Sequence, residues 1–173
     1  MTKLNPFPLP SQEYLHEILE YSCSTGVFRW KVSPSRNTKR GQVAGYTQGG
    51  LYWVIRVKYI KYKAHRLAWM YVYGTDPGEK DIDHIDRNGL NNSIFNLRLA
   101  SSGENQWNVP GRASNPVGVK GVHLHHTNGC TYYRAQISGR GLRLRKSFKR
   151  KEDAEEWVKL ARAFLHGKFA CND

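Results

Sequence analysis

Cysteine is scarce in this 173-residue chain, and the three present, Cys23, Cys130 and Cys171, lie far apart. No Cys-x-x-Cys pair occurs, which removes a cysteine zinc site from consideration. Reduced thiols in a cytosolic setting are the expectation. No segment approaches the roughly 18 consecutive apolar residues of a membrane helix. The opening Met1-Thr2-Lys3-Leu4-Asn5-Pro6 has no apolar signal core. Membrane insertion and secretion are therefore not expected, and a cytoplasmic protein is. Acidic residues are also few: 14 Asp and Glu stand against 27 Lys and Arg, for a formal net charge of +13. An excess of this size points to a polyanionic partner. It is uneven, because residues 1–109 carry 14 basic and 9 acidic side chains, whereas residues 110–173 carry 13 and 5 on a shorter segment.

The rest of the chain alternates between packed patterns and turn chemistry. Residues 1–10 hold three prolines and should lack regular structure. Ser11 to Tyr21 places Leu15, Ile18 and Leu19 at helical spacing behind a Ser11 N-cap. Val27 to Val32 alternates after Ser24-Thr25-Gly26 and reads as a strand. Ser33 to Arg40 is a basic loop, with Arg36, Lys39 and Arg40 available either to solvent or to phosphate. Val43–Tyr46, Tyr52–Val57 and Ile60–Ala64 read as further strands. Gly49-Gly50 turns between the first two, while the turn at Lys58-Tyr59 lacks the usual Gly, Asn or Pro. From His65 to Tyr73 the period becomes helical, and Gly74 and Pro77 stop it. His65 is expected to be a packed or capping residue rather than a ligand.

The densest polar chemistry lies between Ile82 and Asn105. Ile82 to Ile85 is a short apolar-flanked strand carrying Asp83-His84, and Asp86 to Asn92 is a loop. Ile94 to Leu99 can return as a strand. Ser101-x-x-Glu104 is a capping box, so a helix should begin at Ser102 and carry Asn105 in its first turns. A carboxylate beside an imidazole, with a carboxamide returning on a helix, can hold one hard divalent cation and leave a neutral His free to act as a base. The alternative for Asp83-His84 is a turn in which the Asp accepts backbone N–H groups and the His is merely packed.

Val109 to Gly118, with Pro110, Gly111, Pro116 and Gly118, reads as a linker. Beyond it come three strand patterns, Gly118–His123, Tyr132–Ser138 and Leu142–Phe148. A helix follows over Lys151–His166 with Ala154, Trp157, Val158, Ala161, Phe164 and Leu165 on one stripe. One helix can cover one face of a three-stranded sheet. The other face would then show Arg134, Gln136, Arg143 and Arg145, and a sheet face can enter the major groove, where Arg reads guanine and Gln reads adenine.

Two resemblances add to this reading. The stretch from about Val27 to Asn108 resembles HNH endonucleases of the phage and homing type. The matching residues are Ala64-His65-Arg66-Leu67-Ala68-Trp69, Asp83-His84-Ile85-Asp86, Asn88, Asn91-Asn92, Asn96-Leu97-Arg98 and Glu104-Asn105-Gln106. The stretch from about Val117 to Ala170 resembles an AP2/ERF-type DNA-binding domain, through Gly118-Val119-Lys120-Gly121-Val122, Tyr133-Arg134-Ala135-Gln136-Ile137, Phe148 and the end of the helix, Leu165-His166-Gly167-Lys168-Phe169-Ala170. The pairing is similar to free-standing nucleases of mobile elements.

These resemblances imply an α+β chain. A ββα-metal (His-Me finger) nuclease core at about residues 64–108 would lie in an N-terminal region 1–108, preceded by a small antiparallel sheet. A linker at 109–117 would lead to an AP2/ERF-like domain at 118–170. They imply His84 as general base, Asp83 and Asn105 as ligands of one Mg²⁺ or Mn²⁺, and Asn96 as the residue that orients His84 through a hydrogen bond. Asn105 stands where many relatives have a His, a departure that suits a hard cation. DNA contacts are expected from Arg134, Gln136, Arg143, Arg145, Lys120, Arg36, Lys39 and Arg40. The expected activity is hydrolysis of duplex DNA, by nicking, from a monomer. Two rival readings remain: a DNA-binding regulator that does not cut, and an RNA-binding protein with Tyr132 and Trp107 as its candidate stacking residues.

Overall fold

The computed structural model describes residues 7–172. Of the proline-rich start, residues 1–6 lie outside the described part. The chain divides into two compact units, Met1–Ser102 and Gly103–Asp173.

In the first unit, α1 (Gln12–Ile18) starts at Ser11, whose hydroxyl accepts from the Tyr14 N–H at 3.3 Å. The helix ends sooner than its spacing suggests. Leu19–Tyr21 is extended as β1 and pairs antiparallel with β2 (Phe28–Trp30). Its Leu19 and Tyr21 are buried on either side of an exposed Glu20, so alternation wins over the helical period once a partner strand is available. A second sheet is ordered β3 (Tyr46–Gln48), β4 (Tyr52–Val57), β5 (Ile60–Lys63). The strand expected over 43–46 is displaced toward the C-terminus. Gly45 has φ +98°, and Val43 makes only an isolated bridge to Arg29. The β4–β5 turn is a two-residue loop in which Lys58 (φ 47°) and Tyr59 (φ 68°) both take the left-handed conformation. That geometry matches the strand twist, as in a type I′ hairpin, without the residues that adopt it most cheaply.

Helix α2 (Ala64–Tyr73) follows β5 directly and closes on Gly74 in the left-handed conformation. The hairpin β6 (Asp81–His84) and β7 (Leu97–Ala100) follows, with Asp83 opposite Arg98 and His84 opposite Leu97. Only the second half of the expected 94–99 strand is extended, because Ile94–Asn96 is a 3₁₀ turn anchored by Ile94 N–H to the Cys23 carbonyl at 3.1 Å. One core serves the whole unit, built on Leu15, Leu19, Phe28, Ile55, Leu67, Ile94 and their neighbours.

In the second unit, α3 (Ser102–Trp107) begins where the capping box predicts, its first residue at the division. The segment read as a linker is built into this unit. Val117 is buried against Val122, Ala135, Ala154 and Val158, and the Asn115 amide donates to the carbonyls of Val119 and Val122 at 2.7 and 3.0 Å. The antiparallel sheet has the order β10 (Leu142–Phe148), β9 (Cys130–Gly139), β8 (Val122–Thr127), with α4 (Lys151–His166) packed on it. Strand β8 starts later than expected because Gly118 and Gly121 are both left-handed (φ 72° and 79°) and keep the approach irregular.

Gly26 carries much of the junction between β1, β2 and the loop before β7. Its φ is +73°, and an added Cβ would sit 2.2 Å from the Asn92 carbonyl carbon. Gly26→Ala should therefore lower the unfolding free energy by at least about 2 kcal/mol. Chemical denaturation checks this, and an unchanged midpoint would refute the close approach.

Candidate active site

The polar loop between β6 and β7 is organised by one carboxylate and one carboxamide. Asp86 accepts from the Asn88 N–H (2.8 Å) and the Asn96 amide (2.8 Å) through Oδ1, and from the Asn91 amide (2.7 Å) through Oδ2. Asn96 Oδ1 in turn accepts from the Asp86 N–H at 3.0 Å, and its Nδ2 also donates to the Asn91 carbonyl at 2.9 Å. These bonds hold the Asp86 carboxyl below its ordinary range; burial, the largest single influence, pushes the other way. Asn96 was expected to hydrogen-bond His84. Its carboxamide instead spans the loop, and its acceptor and donors are used there.

The residue that meets His84 is Asn92. It is 2% exposed, and its Oδ1 lies 3.3 Å from His84 Nε2. Its Nδ2 donates to the Leu90 carbonyl at 3.0 Å, which turns Oδ1 toward the imidazole. An oxygen there can only accept, so the neutral ring donates from Nε2 and carries its lone pair on Nδ1. Tyr21 Oη donates to the Asn92 carbonyl at 2.7 Å, and the Ser93 hydroxyl donates to the Cys23 carbonyl at 2.9 Å. The loop is thus fixed to the β1–β2 hairpin. Asn91-Asn92 was visible in the sequence, but nothing in its spacing separated the amide that braces the loop from the one facing His84.

Successive strand residues point to opposite faces, so the adjacent Asp83 and His84 meet different surroundings. Asp83, 6% exposed, receives Arg98 Nε at 2.7 Å and Nη2 at 2.6 Å, both on Oδ2. His84, 7% exposed, packs its ring 5.0 Å from that of His65 (78° between planes) and 6.3 Å from that of Tyr52. Burial lowers the pKa of His84, against smaller opposing influences of Asn92, Asp86 and Asp83. Burial lowers that of His65 further, helped by the His84, Lys63 and Arg66 charges. Both rings are neutral at pH 7. His65 Nδ1 is buried with no hydrogen-bond partner among the described residues. His65, Tyr52 and Arg98 all lie at the Asp83-His84 pair; His65 and Arg98 belong to the runs that carry the HNH resemblance but had no role at the site, and Tyr52 comes from a separate hairpin with no signal of its own.

A resident cation would have few protein ligands. No group of three or more His, Cys, Asp or Glu gathers among the described residues. Asp83 offers hard carboxylate oxygens, which fit a divalent cation completed largely by water and substrate oxygens. Asn105 lies on α3 in the second unit, partly exposed.

On the sheet of the second unit, Arg145 lies opposite Gln136, Arg143 opposite Ser138, and Arg134 opposite both Ser147 and His123. Cross-strand partners share a face, so the four predicted contacts stand together, joined by His123 and His125. Arg134 and Arg145 help lower the His125 pKa, after desolvation. Lys120 does not join them. Its ammonium donates to the Trp107 carbonyl at 2.8 Å and to that of Val109, so it serves the fold. Trp107 stacks on His166 at 4.3 Å and is not an open stacking platform. Arg36, Lys39 and Arg40 are exposed on their loop in the first unit.

The two buried imidazoles make a stability prediction. Their folded pKa values lie below the unfolded value of 6.5, so below that pH the unfolded chain binds protons that the folded chain refuses. Their contribution is complete above about pH 6.5 and is lost as pH falls toward the depressed folded values. Between about pH 7 and pH 5, unfolding free energy should fall by up to about 1.4 kcal/mol per pH unit per histidine. Urea denaturation should show a shallower fall for His65→Gln; equal slopes would mean that the ring is solvated.

The HNH endonuclease family matches residues 62–107, which span the end of β5, α2, the β6–β7 hairpin and α3. An uncharacterized HNH endonuclease of Acanthamoeba polyphaga mimivirus is 31% identical over 112 residues, covering 64% of this chain but only 56% of that protein. Protein 3.8 of Escherichia phage T7 is 36% identical over 114 residues, covering 63% of this chain and 91% of the phage protein. No solved structure matches the chain. Likeness over nearly the whole of the phage protein shows kinship, so this chain belongs to the family of Protein 3.8, and its residues 62–107 are an HNH endonuclease domain.

Proposed function

We propose that the protein is a homing-type endonuclease that nicks duplex DNA, with His84 as general base. The observation that carries this reading is a buried, neutral imidazole with one nitrogen directed at Asn92 Oδ1, inside an HNH endonuclease domain. His84 Nδ1 takes a proton from water as its oxygen attacks phosphorus, and the bond to the 3′-oxygen breaks. Asn92 holds the tautomer. Asn96 acts one step further out, by holding the loop on which Asn92 sits. Asp83 and Asn105 would hold one Mg²⁺ or Mn²⁺, which when bound supplies positive charge to the phosphoryl and leaving oxygens. A single base suits a single strand, so a monomer would leave a nick.

The C-terminal unit supplies the DNA contacts in this reading. A three-stranded sheet with one covering helix supports the AP2/ERF-like assignment. The aligned Arg134, Gln136, Arg143 and Arg145 support a major-groove face, and Arg36, Lys39 and Arg40 add phosphate contacts from the N-terminal loop. One observation favours the rival reading of a regulator that does not cut: Arg98 places two donors on Asp83 Oδ2, an oxygen a cation would otherwise use.

Conversion of supercoiled plasmid to open circle with Mg²⁺ separates the two. Wild-type protein should nick, and His84→Ala should lower the rate by about 10²- to 10⁴-fold with binding intact. Absence of nicking on the DNA flanking the gene would leave the regulator. For the sheet, Arg143→Ala and Arg145→Ala should each weaken duplex binding and reduce the slope of log affinity against log salt by about 1. Unchanged slopes in both would remove this face from the interface.

A further inference from the structure

A second set of side chains adjoins His84 and has no role in the chemistry above. Tyr52 on β4 packs edge-on to His65 at 5.8 Å and lies 6.3 Å from His84. The catalytic loop closes against the same ring, since a Cβ on Gly89 would sit 2.2 Å from the Leu51 carbonyl oxygen and 2.9 Å from Tyr52 Cδ1. Tyr52 is therefore held between the loop and α2. Lys63, the last residue of β5 and the N-cap of α2, places its ammonium 4.4 Å over the Tyr52 ring. Its side chain is exposed, and no acid pairs with it among the described residues. A cation over an aromatic face is held without being neutralised.

We propose that Lys63 binds the DNA phosphate at which His84 acts, donating to a non-bridging oxygen through its ammonium. This rests on the endonuclease reading of the same site. The surroundings suit an anion. His65 and His84 are buried uncharged, and the field of Lys63 is among the causes that keep them so. Asp83 and Asp86 also reach His84 with their charge, but Asp83 is paired with Arg98 and Asp86 is engaged by the loop amides, which leaves Lys63 to meet an incoming phosphate. An ammonium is a compact point charge with three donors, well suited to a phosphate oxygen that gains charge as the water oxygen bonds to phosphorus. The strand-to-helix junction fixes where that charge stands, and Tyr52 limits how far it can swing. Lys63 is thus a catalytic residue by contact with substrate, while Tyr52 and His65 position it and the base.

Lys63→Met keeps the length of the side chain and removes the charge; Lys63→Arg restores the charge. Both would be made in the full chain and assayed for plasmid nicking with Mg²⁺ under single-turnover conditions. Binding to a short duplex in EDTA would be measured across a salt series in the His84→Ala background. Lys63→Met should lower the nicking rate by about 10²-fold with an unchanged thermal melt, and Lys63→Arg should recover most of it. The salt slope should shrink by about 1 for Lys63→Met alone. A wild-type nicking rate in Lys63→Met, or an unaltered salt slope, would overturn the assignment, as would equal losses in the Met and Arg variants. If the wild-type protein fails to nick at all, the endonuclease reading falls, and the salt slope by itself decides whether Lys63 meets phosphate.

Discussion

The buried carboxamide of Asn92 is the contact on which the first unit depends. It is among the largest fully buried side chains, and it is polar. Burying an amide is tolerable only when its groups are paired. Its Nδ2 takes the Leu90 carbonyl, its Oδ1 faces His84, and its own carbonyl receives Tyr21 Oη. One residue therefore closes the loop, sets the tautomer of His84 and connects the loop to a strand 71 residues earlier. Gly26 allows this by leaving room against the Asn92 backbone. The β1–β2 hairpin, otherwise remote from the chemistry, becomes the wall that keeps the loop in register.

Around that contact, charge is sorted by depth. Asp83 and Arg98 are both nearly buried and neutralise each other across the hairpin. Such a pair offsets its desolvation only through close, paired geometry, which the two short contacts to Oδ2 supply. His84 and His65 satisfy burial in the other way, by staying uncharged. Lys63 remains at the surface with its charge intact. The neutral His84 ring and the exposed Lys63 ammonium meet across Tyr52, an arrangement that owes as much to β4, β5 and α2 as to the β6–β7 hairpin itself.

The second unit shows how a basic composition divides between fold and surface. Lys120 caps the carbonyls of Trp107 and Val109, and Arg162, 2% exposed, donates to the Lys120 carbonyl and to Asn172. These cations close an irregular segment whose carbonyl groups lack strand partners. Arg143 and Arg145 of β10 are left exposed and Arg134 of β9 half-buried, aligned by register. Counting charges along the chain therefore overstates what is available to a partner, whereas strand alternation separates the two groups.

Alternation, helical period and turn residues were enough to locate β4, β10 and α4, and to place α2 and β5 to within a residue, because those elements depend on local patterns that neighbours merely reinforce. The Asp83-His84 pair stood out for a similar reason, as a dense polar run between packed flanks. What the sequence left undetermined were the partners. Leu19–Tyr21 became a strand because β2 lay beside it, and the supposed linker at 109–117 was drawn in by Val117 and Asn115. Asn92 rather than Asn96 came to face His84. Each of these outcomes was decided by which groups had to be paired once buried, a condition that exists only in the folded chain. Residues 83 and 84 stood out in the sequence as a polar pair; the surroundings that make His84 neutral, pair Asp83 with Arg98 and set Lys63 over Tyr52 belong to the tertiary structure alone.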